Sequence, residues 1–149
     1  MTPARLPSAP GRRIQQYVTV TAREPRNVGS ERRTVAELLG RWGIAENPLE
    51  SVLLVVSELL TNAVLHGRSE SVGLSLVHDG AQGRVRIEVD DRTPGPRPRP
   101  RLPDADDEGG RGLLLVEAIG EQWGVSKDGS VTWCVVDTDA GPRRENRPA

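Results

Sequence analysis

Polar and apolar positions alternate along this chain with two different periods. Residues 14–22 place β-branched residues around Tyr17 in weak alternation, the pattern of a strand. From 28 to 42 the apolar positions Val28, Val35, Leu38, Leu39 and Trp42 recur at helical spacing, and Gly43 supplies a stop. A second helix is expected over 47–66, with Asn47 as N-cap, Pro48 at the first helical position and Glu50 completing a capping box. Its apolar residues, Leu49 through Val64, cover most of the circumference, so this helix should be central and largely buried, with Gly67 as terminator.

Two alternating segments follow, 71–78 and 84–91, joined by a connection of hairpin composition, Asp79-Gly80-Ala81-Gln82-Gly83. In the second, Val85, Ile87 and Val89 face one way and Arg84, Arg86 and Glu88 the other. Residues 93–103 carry five prolines and three arginines, which excludes a regular helix or central strand and predicts a long loop. Helical spacing resumes over 111–119 and ends at Gly120; a second hairpin spans 122–127 and 130–138 around Asp128-Gly129. This order predicts an α+β, two-layer sandwich in which a mixed, mainly antiparallel sheet is covered on one face by helices. The folded domain is expected over 14–138, between flexible tails at 1–13 and 139–149.

Composition narrows the chemistry. The 149 residues suit one domain, and a formal net charge of -1 gives no electrostatic case for direct nucleic-acid binding. Phe is absent, so the core must be aliphatic around Trp42, Trp123 and Trp133. The lone Cys134 excludes an internal disulfide, and its apolar run reads as a buried structural thiol. No stretch approaches the roughly 18 apolar residues of a membrane span, and the opening residues carry no apolar signal region, so a cytoplasmic protein without a membrane partner is expected.

A buried helix must account for its polar residues. Glu58 and Asn62, four apart, project from one side of the central helix. A carboxylate and an amide oxygen are hard donors that suit Mg²⁺ carried by a phosphate ligand, although taken alone they read rather as a helix-face pair bonded to each other or to solvent. Gly110-Arg111-Gly112-Leu113 opens the last helix, where free amides, the helix dipole and a guanidinium favour an anion. By itself the run is also compatible with a plain flexible start to the helix.

The whole string Ser57-Glu58-Leu59-Leu60-Thr61-Asn62-Ala63-Val64-Leu65-His66-Gly67 resembles the Asn-bearing helix of the GHKL (Bergerat-fold) ATPases, in the form found in bacterial anti-sigma-factor serine/threonine kinases. Val89-Asp90-Asp91 and Gly110-Arg111-Gly112-Leu113 follow in the family's order, and the likeness covers roughly 14–138. The resemblance implies that Asn62 contacts the Mg²⁺ of bound ATP and that Glu58 is the general base. It implies too that Asp91 accepts a hydrogen bond from the adenine amino group, a contact guanine's equivalent oxygen cannot supply. Gly95, Gly110, Arg111, Gly112 and Leu113 would line the phosphates under a lid that also carries Arg92, Arg97, Arg99 and Arg101. His66 ends the motif, where packing or capping explains it.

The chain departs from the family's Asp-x-Gly-x-Gly arrangement, since Asp91-Arg92-Thr93-Pro94-Gly95 keeps only the second glycine. Thr93 offers a hydroxyl to phosphate or to a base-bridging water, whereas Pro94 stiffens the backbone and removes a donor. By resemblance, the expected activity is ATP-dependent phosphorylation of an anti-anti-sigma (STAS-type) protein, with a sigma factor as the alternative partner. A homodimer formed through about residues 14–42 is implied as well. The competing expectation is a module that sequesters its partner without productive kinase turnover.

Overall fold

The computed structural model describes residues 13–93 and 111–139, with backbone alone for 111–113. Five strands and three helices run in the order β1 (Ile14–Ala22), α1 (Arg26–Arg41), α2 (Glu46–His66), β2 (Ser71–Asp79), β3 (Arg84–Asp90), α3 (Arg111–Ile119), β4 (Gln122–Val125) and β5 (Val131–Asp137). The sheet order is β1-β2-β3-β5-β4. Every pairing is antiparallel among the described residues, which narrows the expected mixed sheet to an antiparallel one. The reason is the crossover through α3: it returns the chain as the edge strand β4, and the following hairpin inserts β5 antiparallel beside β3.

The core is aliphatic, as a chain without Phe requires. Val72, Leu74 and Leu76 of β2, Val85, Ile87 and Val89 of β3, and Cys134 and Val136 of β5 lie on the inner face against Val52, Val55, Val56, Leu59 and Leu60 of α2. Val35 and Leu39 of α1 and Val116 of α3 flank that helix. Burial pushes the Cys134 thiol up to about 12, so it stays protonated and unreactive at neutral pH. The opposite face of the sheet is open: Val18 and Val20 of β1 are exposed there, and Arg86 lies 4.4 Å over the Trp133 ring while pairing with Glu88 at 2.9 Å.

Two expectations need correction. The cap of α2 is Ala45, in extended conformation and without a side-chain hydrogen bond, so Asn47 and Pro48 sit inside the first turn. Proline is accepted there because the first four amides of a helix have no intrahelical partner. Moreover, α2 is long and apolar enough by composition to pass as a membrane-span candidate, contrary to the sequence expectation. Nine of its residues are buried between α1, α3 and the sheet, the situation that gives a core helix the same composition.

Candidate nucleotide-binding site

Site-bearing residues converge on one end of the sheet because α2 ends where β3 ends. Glu58 and Asn62 are half-buried on α2, one turn apart, among the buried Leu59, Leu60 and Ala63. Neither is engaged in a side-chain hydrogen bond or ion pair among the described residues, which leaves an acceptor carboxylate and an amide available to a ligand. No group of three His, Cys, Asp or Glu able to hold a metal occurs among the described residues, so a cation here would take most of its ligands from phosphate and water.

Asp91 follows β3 directly and is buried, with 8% of its surface exposed. Its amide donates to the Ser130 carbonyl at 2.9 Å, continuing the β3–β5 pairing, and its Oδ1 accepts from the Thr93 amide at 3.0 Å. Asp90 holds the same turn from the other face, accepting from the Arg92 amide at 2.8 Å. Between them Arg92 takes a left-handed backbone conformation, with φ 56°. Thr93 is buried, and its hydroxyl accepts from the Arg68 amide at 3.1 Å, tying the turn to the chain leaving α2. The departure from the family's glycine therefore has a structural use here, and the hydroxyl retains its own proton to donate.

The sequence marks Gly67 only as a terminator, but its backbone is extended and needs no positive φ. What requires glycine is space. A Cβ would collide with the Ala63 carbonyl and stand 3.2 Å from Arg23 Cδ and 3.5 Å from Asp91 Cβ. Arg23 is the other residue that sequence reasoning missed. It follows β1, and its guanidinium reaches the end of α2 through contacts more than forty residues apart along the chain. His66, expected to pack or cap the helix, is exposed, and the cap is the Gly67 amide donating to the Ala63 carbonyl.

The backbone of Arg111 and Gly112 forms the start of α3, which packs against α2. Gly95, Gly110 and the loop arginines Arg97, Arg99 and Arg101 lie outside the described residues, as do the side chains of Arg111 and Leu113. A cleft of about 220 Å³ lined by Val18, Val20, Gly73, Asp90 and Arg92 sits on the open face of the sheet, away from the α2 side where Glu58 and Asn62 stand.

An open antiparallel five-stranded sheet covered on one face by helices is the fold expected of a GHKL-type ATPase domain. The sequence matches the family described as Histidine kinase-like ATPase domain over residues 21–136, most of its length, and the chain belongs to that family. It is also similar to the serine-protein kinase RsbW of Staphylococcus aureus strains JH9 and Newman, with 26% identity over 115 residues, covering 68% of this chain and 72% of each relative. Membership implies nucleotide binding.

Proposed function

We propose that this chain is an anti-sigma factor that transfers the γ-phosphoryl group of ATP to a serine or threonine of an anti-anti-sigma protein. The observation that carries the reading is Glu58: a half-buried carboxylate with no partner among the described residues, one turn before Asn62 on the helix that ends against Asp91. In this reading Asp91 selects adenine and Asn62 holds the phosphate-bound Mg²⁺, which neutralises charge developing on the transferring group. Glu58 accepts the proton of the attacking hydroxyl, while the α3 N-terminus with Gly110, Arg111 and Gly112 stabilises the phosphates. Positioning and electrostatics supply most of the rate in such a transfer. The similarity to a serine-protein kinase supports the choice of a protein hydroxyl as acceptor. A cytoplasmic homodimer that alternates between a sigma factor and the anti-anti-sigma protein completes the proposal.

The test is incubation of the purified chain with Mg²⁺ and γ-labelled ATP, with and without a candidate anti-anti-sigma protein. Glu58→Ala should lower transfer by about 100-fold or more while ATP still binds, and Asn62→Ala should lose binding. Absence of nucleotide binding, with Asn62→Ala changing nothing, would defeat the proposal. A second reading, a partner-sequestering module that binds ATP without turnover, is favoured by Thr93 standing where the family has its first glycine and by Pro94 after it. Its signature is ATP binding without transfer to any cognate partner.

A further inference from the structure

Arg23 is bonded three times to the last turn of α2 and the segment that leaves it. Its amide donates to the Glu70 carbonyl at 2.8 Å, extending the β1–β2 pairing beyond Ala22 and Ser71. Its Nε donates to the Ser69 carbonyl at 2.6 Å and its Nη1 to the Val64 carbonyl at 2.9 Å. In a helix that continued, the Val64 carbonyl would accept from the Arg68 amide. That amide donates to Thr93 Oγ1 instead, at 3.1 Å. Side chains arriving from two different strands have thus taken over both halves of one missing helical hydrogen bond.

The consequence falls on the site. Gly67, between these two attachments, has no room for a Cβ, which would collide with the Ala63 carbonyl, press on Arg23 Cδ and touch Asp91 Cβ. Asn62 lies just over one turn before Gly67 on the same rigid helix. We propose that Arg23 and Thr93 are positioning residues, a clamp that fixes the end of α2 and so sets Asn62 against Asp91 for one nucleotide. This rests on the nucleotide-binding reading of Asn62 and Asp91. It departs from that reading in giving Thr93 a task inside the protein, and in adding a residue outside every motif.

The clamp is tested by titrating the folded protein with a fluorescent ATP analogue and competing with ATP or GTP. Arg23→Gln removes the charged fork, Thr93→Val removes the hydroxyl at nearly constant shape, and Thr93→Ser restores it. Arg23→Gln and Thr93→Val should each weaken ATP binding about tenfold and narrow the preference for ATP over GTP, with Thr93→Ser within about twofold of wild type. A residue that serves stability alone would lower the unfolding midpoint and leave affinity and base preference of the folded protein unchanged; that result would overturn the clamp. Wild-type protein that binds no ATP would overturn the nucleotide reading and the clamp together, whereas wild-type binding with unaltered variants overturns the clamp alone.

Discussion

At its N-terminal end α2 starts from Ala45, a residue with no side-chain oxygen to offer the first amides, and no side chain caps the turn. At its C-terminal end the Val64 carbonyl, the Gly67 amide and the Arg68 amide are bonded in turn to Arg23, the Ala63 carbonyl and Thr93. Both ends of a helix leave polar groups without intrahelical partners, and water satisfies them at an exposed end. Long-range side-chain bonds are therefore made at the end where the helix meets Asp91, and among the described residues no side chain caps the other end. The difference teaches that a fixed position, more than helix stability, is what the C-terminal end requires.

The largest break in this contrast comes from a single methyl group. Gly67→Ala drives a Cβ into the Ala63 backbone carbonyl and presses it on Arg23 Cδ, so the backbone at the end of α2 and the Arg23 side chain must both shift. It should destabilise the fold by about 3 kcal/mol, as overpacking of a closed site does, and should reduce ATP affinity in parallel. Urea unfolding and nucleotide titration of the same variant check both. The same change at Gly40 on α1, where an added Cβ meets nothing within 4 Å, should not destabilise the fold and serves as the control.

Next in size is Arg23→Ala, which leaves the Ser69 and Val64 carbonyls without their charged donor. Hydrogen bonds from a charged group are worth more than neutral ones, and the loss should be about 2 kcal/mol by urea unfolding. A loss no greater than that of a typical exposed arginine would mean that water replaces the guanidinium, and the two ends of α2 would then be alike.

Much of this molecule was legible in the residues, in so far as the signals were local. Alternation in 14–22 and helical spacing in 111–119 match β1 and α3 residue for residue, and the hairpin connection closes through Asp79 Oδ1 accepting from the Ala81 and Gln82 amides. The cap of α2 was misread because Asn47, Pro48 and Glu50 carry the chemistry of any first turn, and nothing local decides whether Pro48 is its first or third residue. The antiparallel β3–β5 pairing joins strands some forty residues apart across a crossover, beyond the reach of periodicity. Asn62 and Asp91 stand out in the sequence by their motifs, and the structure adds the contact between the end of α2 and Asp91. Arg23 does not stand out: its partners are 41 and 46 residues away, and a lone arginine after a strand carries no signal of them.

The contrast can also be sharpened from the weak end. Ala45 already has the extended conformation of a cap residue, with φ -65° and ψ 158°, and is exposed. Ala45→Ser supplies the missing acceptor and should stabilise the chain by about 1 kcal/mol. Nucleotide affinity should not change, because this end of α2 is roughly five turns from Asn62. A change in ATP affinity would show that the helix transmits its N-terminal state to the site.

The smallest effect lies in the turn that delivers Thr93. Arg92, at φ 56°, occupies a region where a side chain costs about 1–2 kcal/mol, and the bond from its amide to Asp90 helps hold it there. Glycine removes that strain but loses more backbone entropy on folding, so Arg92→Gly should stabilise by only about 0.5 kcal/mol. Arg92→Ala separates the two contributions, since it deletes the same guanidinium while keeping the strained backbone, and it should give no gain. If both variants stabilise equally, the benefit comes from removing charge, and the turn is not strained. If only glycine does, backbone strain sits beside Asp91 at the bonded end of α2, where the Asp90 and Thr93 contacts hold it in place.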